Sequence, residues 1–397
     1  MARILCIWEL GEDLGHLSQF SVVSQELTKR GHDVFFAARD LSRSYAFFPN
    51  QQVRLLQSPV WQHKLRKPML TKTFSEILLY QGFQSRDTLQ PLVNAWRNLF
   101  ALTAPDIVLF DYSPAALVAA IGLDFKKIIL SNSFVTPPVG SESRDLQQWA
   151  PDPAYDVLKN ECHVTTVINY VLSSYVEEKI DTVSDIFGAD VVALTCFKEI
   201  DFYRNERQQA IYLGALPGVV GLKPPVWAQS DYPKVFAYVK RGSDSVELVI
   251  KLLKKLSLNV LCFYAGAKVD ECLALSEGLF QITNEPFDIN AVFEQAEFVV
   301  CHAGMGMVNR ALYHGCPMLV IPTQLEQINT SIRLVDMQVA VSVNNSDTES
   351  DVERKVSLLF HDSKYSRRAH EFSANNQFLT PQSSLSVVVD LCEDLLD

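Results

Sequence analysis

The segment from Cys301 to Met307 has the residue types and spacing of an anion-binding turn. The apolar run Phe298–Cys301 predicts a strand, and apolar residues at helical spacing begin at Gly306. Gly304 and Gly306 allow close approach of the backbone to a ligand, and the first turn of a helix presents amides without intrahelical partners. We therefore predict a phosphate site here, with the ring of His302 donating a hydrogen bond to the same phosphate.

Polar side chains follow the next predicted strand, Met318–Ile321, at Gln324, Glu326, Gln327 and Asn329. Sugar hydroxyls need paired donors and acceptors at fixed positions, which amides and carboxylates supply. The pattern predicts a sugar site beside the phosphate site. A G-x-G turn is common in α/β proteins, so an ordinary turn without a ligand stays open on these residues alone.

His16 is the candidate general base, because histidine exchanges its proton near neutral pH. It follows the glycine-bounded loop Gly11–Gly15, directly after the first predicted strand. That position is the carboxyl end of a sheet, where ligands of α/β proteins bind. A capping or core-edge role for His16 is the alternative, and Glu12 and Asp13 in the same loop are minor candidates for the base or its assistant.

The first part of the chain predicts a parallel α/β sheet to carry these residues. Strand Arg3–Trp8, helix Leu17–Arg30 and strand Asp33–Ala38 form a βαβ pattern. Further strands are predicted at Ile107–Phe110, Lys127–Leu130 and Val191–Thr195. Two long helical stretches rich in aromatic residues, 61–100 and 156–186, interrupt this rhythm.

A Gly/Pro-rich segment, Gly214–Pro225, predicts a linker, and a second and more regular α/β series follows it. The tail from Val352 predicts two amphipathic helices separated by a polar stretch. We predict the α/β class, with two Rossmann-like doubly wound domains facing a cleft. The predicted boundaries are 1–213, a linker at 214–232, a second domain at 233–370, and a C-terminal helix at 371–397.

Composition limits the partners of this 397-residue chain. With 48% hydrophobic and 20% charged residues and a net charge of −11, it is typical of a folded globular protein and not of a nucleic-acid-binding one. Eight scattered cysteines without a C-x-x-C pair predict buried free thiols and no zinc site. No apolar run is long enough for a signal peptide core or a membrane span, so we expect a cytoplasmic location, with peripheral association at the inner membrane as a variant.

About 30 residues of the second half carry a family resemblance. The pattern is His302-Ala-Gly-x-Gly, then Ala311-Leu-x-x-Gly-Cys-Pro, Ile321-Pro, and Glu326-Gln-x-Asn. It resembles the donor-binding signature of the family 1, UDP-glycosyltransferase-like enzymes and their bacterial antibiotic- and lipid-modifying relatives. The resemblance implies the GT-B architecture, in which the C-terminal helix returns to the first domain.

The resemblance also implies roles for particular residues of the second domain. A diphosphate would be held by His302, Ala303, Gly304, Gly306 and Met307, and sugar hydroxyls by Glu326 and Gln327. In the preceding loop, Ser243 and Arg241 would face the phosphates, with a solvated basic turn as the alternative. The chain departs from the family pattern at Ala303, where a glycine is usual, at Met307, where a threonine is usual, and at Phe287-Asp288, where a Pro-Gln pair is usual.

Gly15-His16 resembles the Gly-His-x-x-Pro turn of the family, with Gln19 in place of the proline. There the histidine is the general base, and an aspartate after a later strand orients it; here that aspartate is Asp111. The resemblance thus implies an inverting transfer with His16 as base and Asp111 as its partner. No D-x-D motif occurs, so we expect no metal.

The expected co-substrate is a nucleoside diphosphate sugar, with UDP or dTDP as the nucleotide, and no further cofactor is expected. The acceptor would be a hydroxyl of a small molecule or lipid, bound against an aromatic wall that includes Trp61, Phe83 and Phe134, although core packing is the alternative for each of these residues. The protein would be a monomer or homodimer without membrane insertion. A nucleotide-sugar-binding protein without catalysis and a sugar-nucleotide epimerase are the competing functions.

Overall fold

The computed structural model describes residues 1–11, 14–42, 44, 47–48, 52–63, 71–218 and 223–396. Two compact units make up the chain. The first comprises Met1–Pro217 together with Ser384–Asp397, and the second comprises Gly218–Ser383. The alternative candidates Glu12 and Asp13 lie outside the described residues, as does part of the predicted linker.

The described strands of the first unit form one parallel sheet in the order β3-β2-β1-β4-β5-β6-β7. These strands are β1 Arg3–Trp8, β2 Asp33–Ala38, β3 Arg54–Gln57, β4 Ile107–Asp111, β5 Lys126–Ser131, β6 Val191–Leu194 and β7 Ile211–Tyr212. The chain starts at the central strand β1 and builds the sheet outward through β2 to β3. It then returns to the other side of β1 and builds outward from β4 to β7, which is the doubly wound arrangement. The central strands β1 and β4 are almost wholly buried, as expected for a parallel sheet covered on both faces.

Helices cover the sheet of the first unit at α1 Leu14–Lys29, α2 Phe74–Leu79, α3 Arg86–Thr103, α4 Pro114–Ala120 and α5 Leu158–Leu172. The two aromatic-rich stretches form α2, α3 and α5, whose buried residues pack with α4 and the sheet in one core. Short 3₁₀ turns follow at Val183–Phe187 and Lys198–Ile200. These stretches are therefore mainly core-forming.

Helix α1 begins earlier than the sequence predicts. It starts at Leu14, so Gly15 and His16 belong to its first turn and not to the preceding loop. Glycine weakens a helix by only about 1 kcal/mol, which the packing of the buried α1 residues Leu17, Phe20 and Val23 can outweigh. The correction matters because a helical turn holds the ring of His16 more firmly than a loop would.

The described strands of the second unit form a parallel sheet in the order β10-β9-β8-β11-β12-β13. They are β8 Lys234–Lys240, β9 Asn259–Ala265, β10 Phe280–Thr283, β11 Phe298–Cys301, β12 Met318–Val320 and β13 Ala340–Ser342. The helices between them are α6 Asp244–Lys255, α7 Val269–Leu275, α8 Ile289–Phe293, α9 Met305–His314 and α10 Leu325–Asp336. Counted from β8, this is again the doubly wound order, and the predicted fold class is confirmed.

The C-terminal tail forms three helices where the sequence predicts two. They are α11 Glu349–His361, α12 Ser363–Asn375 and α13 Pro381–Asp394. The break lies at Asp362, whose side chain accepts a hydrogen bond from the Lys364 amide and so caps α12.

The tail is divided between the two units. The chain returns to the first unit at Ser384, whereas the predicted boundary of the C-terminal helix was residue 371. Helix α12 stays with the second unit, where Ser373 donates a hydrogen bond to the carbonyl of Tyr313 in α9. From Ser384 the chain belongs to the first unit, and the buried face of α13 packs with residues of β1, β2 and α1.

All eight cysteines are free thiols, and all except the exposed Cys162 are buried. Burial raises the pKa of Cys6, Cys196 and Cys301 to about 12. Among the described residues, no helix has the length and apolar character required to cross a membrane.

Candidate active site

His16 and Asp111 form a hydrogen-bonded pair at the carboxyl end of the first sheet. The ring Nδ1 of His16 lies 2.6 Å from Oδ2 of Asp111. Asp111 is the last residue of β4, and its side chain is 3% exposed, whereas that of His16 is 17% exposed. Because the carboxylate binds Nδ1, it orients the ring so that Nε2 faces away from Asp111.

The surroundings of His16 restrict the position of its ring. The indole of Trp8, at the end of β1, stacks on the imidazole with 5.2 Å between ring centroids and 15° between planes. A Cβ atom added to Gly11 would lie 2.7 Å from Nε2, and Gly11 has a φ of +88°. Glycine at this position therefore lets the loop backbone lie close to Nε2, where a side chain would displace the ring.

A buried carboxyl group, Glu9, lies directly after β1. Its oxygens accept hydrogen bonds from the amides of Ala115 (3.3 Å) and Ala116 (3.0 Å) in α4. Desolvation by burial raises the pKa of Glu9 to about 8, against the opposing effects of these two hydrogen bonds and of Arg39. Glu9 is thus a buried titratable group directly after β1, at the carboxyl end of the sheet. The sequence pattern alone did not indicate it.

Ser131 is another contributor that the sequence analysis does not identify. Its hydroxyl donates a 2.7 Å hydrogen bond to Oδ1 of Asp111. It ends β5, which pairs in parallel with β4, and the carboxyl ends of neighbouring parallel strands meet at one edge of a sheet. The sequence signal that could have identified Ser131 is its position directly after the predicted strand Lys127–Leu130.

The predicted phosphate turn lies between β11 and α9 in the second unit. Gly304 is the N-cap of α9, which begins at Met305, and the amide of Met307 donates to the carbonyl of Gly304. A Cβ atom added to Gly304 or Gly306 would meet no atom within 4 Å. The turn therefore presents its backbone to open space, as an anion site at a helix N-terminus requires.

Ala303 takes the left-handed conformation, with a φ of +61°. It is fully buried, so its methyl group is packed inside the second unit. The conformation explains why a glycine fits this place so well, because a side chain costs roughly 1–2 kcal/mol there. The departure from the family pattern leaves the shape of the turn intact.

His302 links the ends of three strands. Its Nδ1–H donates to the carbonyl of Ile321 after β12 at 2.9 Å, and its Nε2 accepts from the amide of Lys240 in β8 at 2.8 Å. The ring is 5% exposed and directly follows β11. The predicted ring donation to phosphate is therefore not the arrangement in this structure, because backbone groups engage both nitrogens. Contact of His302 with a donor stays a prediction.

The loop after β8 carries the next two predicted donor residues. Ser243 is the N-cap of α6, and its side chain makes no capping hydrogen bond. Arg241 is 60% exposed and forms an ion pair with Glu271 of α7 at 3.2 Å. A phosphate contact by Arg241 would therefore have to compete with Glu271.

Glu326 and Gln327 both lie in the first turn of α10. The Oε1 of Gln327 accepts from the amide (2.9 Å) and hydroxyl (3.1 Å) of Thr323 and from the amide of Gln324 (3.3 Å). Gln327 thus caps its own helix, and a sugar contact would fall to its Nε2 group. Glu326 is half-buried in the same turn.

The three predicted acceptor residues do not form an exposed wall. Phe83 is fully buried in the core of the first unit, which is the core-packing alternative, and its contact with an acceptor stays a prediction. Phe134 is 4% exposed and packs edge-on against Phe202. Trp61 is half-buried against the same core as Phe83. Aromatic side chains bury large apolar areas, and these three side chains pack within the first unit.

The first unit has a surface pocket that is lined by none of these three residues. Its lining includes Phe74, Arg144, Glu161 and Tyr203 together with serines. Within the described parts of the chain, His, Cys, Asp and Glu side chains form no group of three or more that could hold a metal ion.

Comparison with known proteins supports a glycosyltransferase assignment for the second unit. Residues 271–381 match the family model of the glycosyltransferase family 28 C-terminal domain, whose number differs from that of the family 1 enzymes that the motif resembles. A curated relative, the UDP-glucosyltransferase avaP of Aspergillus versicolor, is 27% identical over 170 residues, which cover 39% of this chain. The match spans 37% of that relative's length.

Solved structures share the fold over the whole chain. The glycosyltransferase of kitacinnamycin is 19% identical with a TM-score of 0.71, covering 100% of this chain and 99% of its own. The calicheamicin glycosyltransferase CalG4 is 15% identical with a TM-score of 0.71, covering 100% and 98%. SsfS6 of Streptomyces sp. SF2575, solved with thymidine diphosphate, is 16% identical with a TM-score of 0.66, covering 99% and 100%. The chain therefore has the fold of the GT-B glycosyltransferase structures, and its residues 271–381 are similar to the C-terminal domain of glycosyltransferase family 28.

Proposed function

We propose that this protein transfers a sugar from a nucleoside diphosphate sugar to a hydroxyl group of a small-molecule or lipid acceptor, with inversion and without a metal ion. The observation that carries the proposal is the His16–Asp111 pair, with 2.6 Å between Nδ1 and Oδ2 at the carboxyl end of the first sheet. A structural histidine does not need a buried carboxylate on one of its ring nitrogens.

In the proposed reaction, Nε2 of His16 removes the acceptor hydroxyl proton as the oxygen attacks the anomeric carbon. Asp111 holds the ring in place and stabilises the imidazolium that forms. Attack by the acceptor opposite the leaving diphosphate inverts the anomeric centre. The proton balance closes because the acceptor loses one proton to His16 and the leaving nucleoside diphosphate carries the charge of the broken bond.

The proposed donor site is the turn formed by His302, Ala303, Gly304, Gly306 and Met307. Amides of the first turn of α9 would bind the diphosphate, and the positive end of the helix dipole would stabilise the leaving group. Glu326 and the Nε2 of Gln327 would bind sugar hydroxyls, and Ser243 and Arg241 would complete the phosphate contacts. UDP or dTDP is the proposed nucleotide, supported by the name of the curated relative and by the thymidine diphosphate in the SsfS6 structure.

The acceptor is proposed to be an apolar molecule that bears a hydroxyl group. One similar structure, the spinosyn rhamnosyltransferase SpnG, was solved with the spinosyn aglycone, and it shares the fold at 14% identity and a TM-score of 0.70. A cytoplasmic location, with peripheral membrane association as a variant, is consistent with eight free thiols. A monomer or homodimer is proposed for the assembly.

The first experiment is calorimetric titration with uridine, thymidine and guanosine diphosphates and their sugar conjugates. Gly306→Val is the matched variant, since it alters the open face of the turn. His302→Ala is less clean because it also removes the bonds to Ile321 and Lys240. We expect one nucleotide to bind, and binding to weaken at least tenfold in Gly306→Val.

Turnover is then measured with the donor so identified against a panel of hydroxylated aglycones, with and without EDTA. We expect transfer that EDTA does not affect and an inverted anomeric centre in the product. In His16→Ala we expect kcat to fall at least a thousandfold, because the variant lacks the general base that the Asp111 carboxylate orients. Nucleotide binding without any turnover would favour the non-catalytic alternative, and isomerisation of the donor sugar without an acceptor would favour the epimerase.

A further inference from the structure

Both oxygens of the Asp111 carboxylate are bound to side chains. Oδ2 meets Nδ1 of His16 at 2.6 Å, and Oδ1 accepts the hydroxyl of Ser131 at 2.7 Å. Asp111 and Ser131 are 2% and 1% exposed. A buried carboxylate with two directed partners cannot rotate without breaking one of these bonds.

The direction of the Ser131 hydrogen bond is fixed by a third group. The amide of Tyr112 donates to the Ser131 hydroxyl oxygen at 3.3 Å. A hydroxyl has one proton to donate, so an oxygen that accepts from Tyr112 directs that proton to Asp111. Tyr112 has a φ of +42°, in the left-handed region, directly after β4.

The backbone of Ser131 is held by the neighbouring strand β6. The register pairs Ser131 with Leu194, and the carbonyl of Ser131 accepts from the amide of Thr195 at 2.9 Å. The backbone position of Ser131 is therefore fixed, as is the direction in which its hydroxyl donates. Such a group can hold a neighbouring carboxylate in one rotamer.

We propose that Ser131 is a positioning residue for the transfer reaction, acting through Asp111 to hold the ring of His16. The proposal rests on the proposed function of the His16–Asp111 pair. Ser131 does not touch the reacting atoms, so its loss should lower kcat and leave KM nearly unchanged. A hydrogen bond to a charged group of this kind corresponds to a fall in kcat of about tenfold or somewhat more.

The kinetic test compares Ser131→Ala with Ser131→Thr, which keeps the hydroxyl, and with Ser24→Ala. Ser24 is a fully buried serine of α1 that contacts Cys6 and not the pair. We expect a fall of about tenfold in kcat for Ser131→Ala, substantial recovery in Ser131→Thr, and no change in Ser24→Ala. In an Asp111→Ala background, Ser131→Ala should have no further effect, because it acts only through the carboxylate.

A second measurement needs no substrate. The proton on Nδ1 of His16, held against a carboxylate oxygen, should give a downfield ¹H resonance in the full-length protein. We expect Ser131→Ala to shift this resonance upfield and to speed its exchange with water, whereas Ser24→Ala leaves it in place.

The outcomes separate the two proposals. If the wild-type protein transfers no sugar from any donor, the proposed function fails, and the resonance still decides whether Ser131 holds the pair. An unchanged resonance and unchanged kcat in Ser131→Ala would overturn the positioning role. An equal loss of kcat with and without Asp111 would also overturn it, since the effect would then be a general change in packing.

Discussion

At the residue scale, the site depends on how few conformations are open to the His16 ring. A carboxylate binds one nitrogen, an indole stacks on one face, and a glycine with positive φ lies beside the other nitrogen. Each contact removes a rotational freedom that catalysis would otherwise have to restrict. The geometry therefore predicts large effects from small substitutions around the ring.

Gly11→Ala tests the space beside Nε2. The added methyl group would lie 2.7 Å from Nε2 and would force either the ring or the loop to move. We expect kcat to fall at least tenfold. Gly31→Ala is the matched control, since Gly31 has a φ of +91° and its added methyl group meets no atom within 4 Å.

Both substitutions strain a left-handed residue by roughly 1–2 kcal/mol, so thermal unfolding should change similarly in the two variants. Only Gly11→Ala should affect transfer. Equal activity in the two variants would show that the space beside Nε2 is not used.

Glu9→Gln tests the buried carboxyl group through the pH dependence of stability. Burial raises the pKa of Glu9 from its ordinary value of 4.5 to about 8. Between these pH values the unfolded chain has released a proton that the folded chain keeps. The free energy of unfolding should therefore fall as pH rises across this window, by at most about 1.4 kcal/mol per pH unit.

Urea unfolding of the wild type and Glu9→Gln at pH 5.5, 6.5 and 7.5 measures this effect. We expect the pH slope of the unfolding free energy to be less negative in the variant than in the wild type. Glu353→Gln, which removes an exposed carboxylate of the second unit, should keep the wild-type slope. Identical slopes in all three proteins would mean that Glu9 is ionised in the fold throughout this range.

At the element scale, strand ends and helix starts carry the candidate residues in both units. His16 lies in the first turn of α1, Asp111 and Ser131 end β4 and β5, and Gly304 caps α9. Parallel strands align these ends at one edge of each sheet, and the helix starts add unpaired amides there. Elements that the sequence predicted well thus also place residues whose contacts it did not indicate, such as that of Ser131 with Asp111.

Gly306→Val tests whether the start of α9 approaches a ligand closely. A side chain at this position meets no atom of the protein, and replacing glycine within a helix does not weaken it. We expect the midpoint of thermal unfolding to stay the same or rise slightly while nucleotide affinity falls at least tenfold. Retention of full nucleotide affinity would place the donor phosphates elsewhere.

At the scale of the whole chain, the last helix belongs to the unit that contains the N-terminus. The buried residues of α13 pack in the core that includes Ile4, Cys6 and Phe20. Arg30 forms exposed ion pairs with Asp390 and Glu393 at 2.7 Å, and Ser384 donates a hydrogen bond to the carbonyl of Leu213. Helix α13 is therefore part of the core of the first unit.

Val388→Ala tests this packing. Val388 is fully buried, and we expect its truncation to lower the free energy of unfolding of the first unit by about 2 kcal/mol. Its neighbour Val387 is 37% exposed, so Val387→Ala is the matched control and should change stability by less than about 0.5 kcal/mol. Equal effects of the two substitutions would show that α13 does not form part of this core.

Local sequence patterns determined most of the elements. Apolar runs predicted the bounds of β1, β2 and β11 as the structure has them, because parallel strands are buried on both faces. The glycine spacing likewise predicted the turn before α9. Start residues and breaks were harder to predict, as at Leu14 and Asp362, because side-chain caps and packing shift helix ends by a few residues.

The sequence by itself determined the class of fold, the position of the glycine turn, and His16 and Asp111 as candidates through a family resemblance. Only the tertiary structure decided that Ser131 holds Asp111, that His302 binds two backbone groups, and that Phe83 belongs to the core. The reason is physical: periodicity reports which face of an element is buried, whereas contacts between side chains far apart in the chain depend on which strands become neighbours.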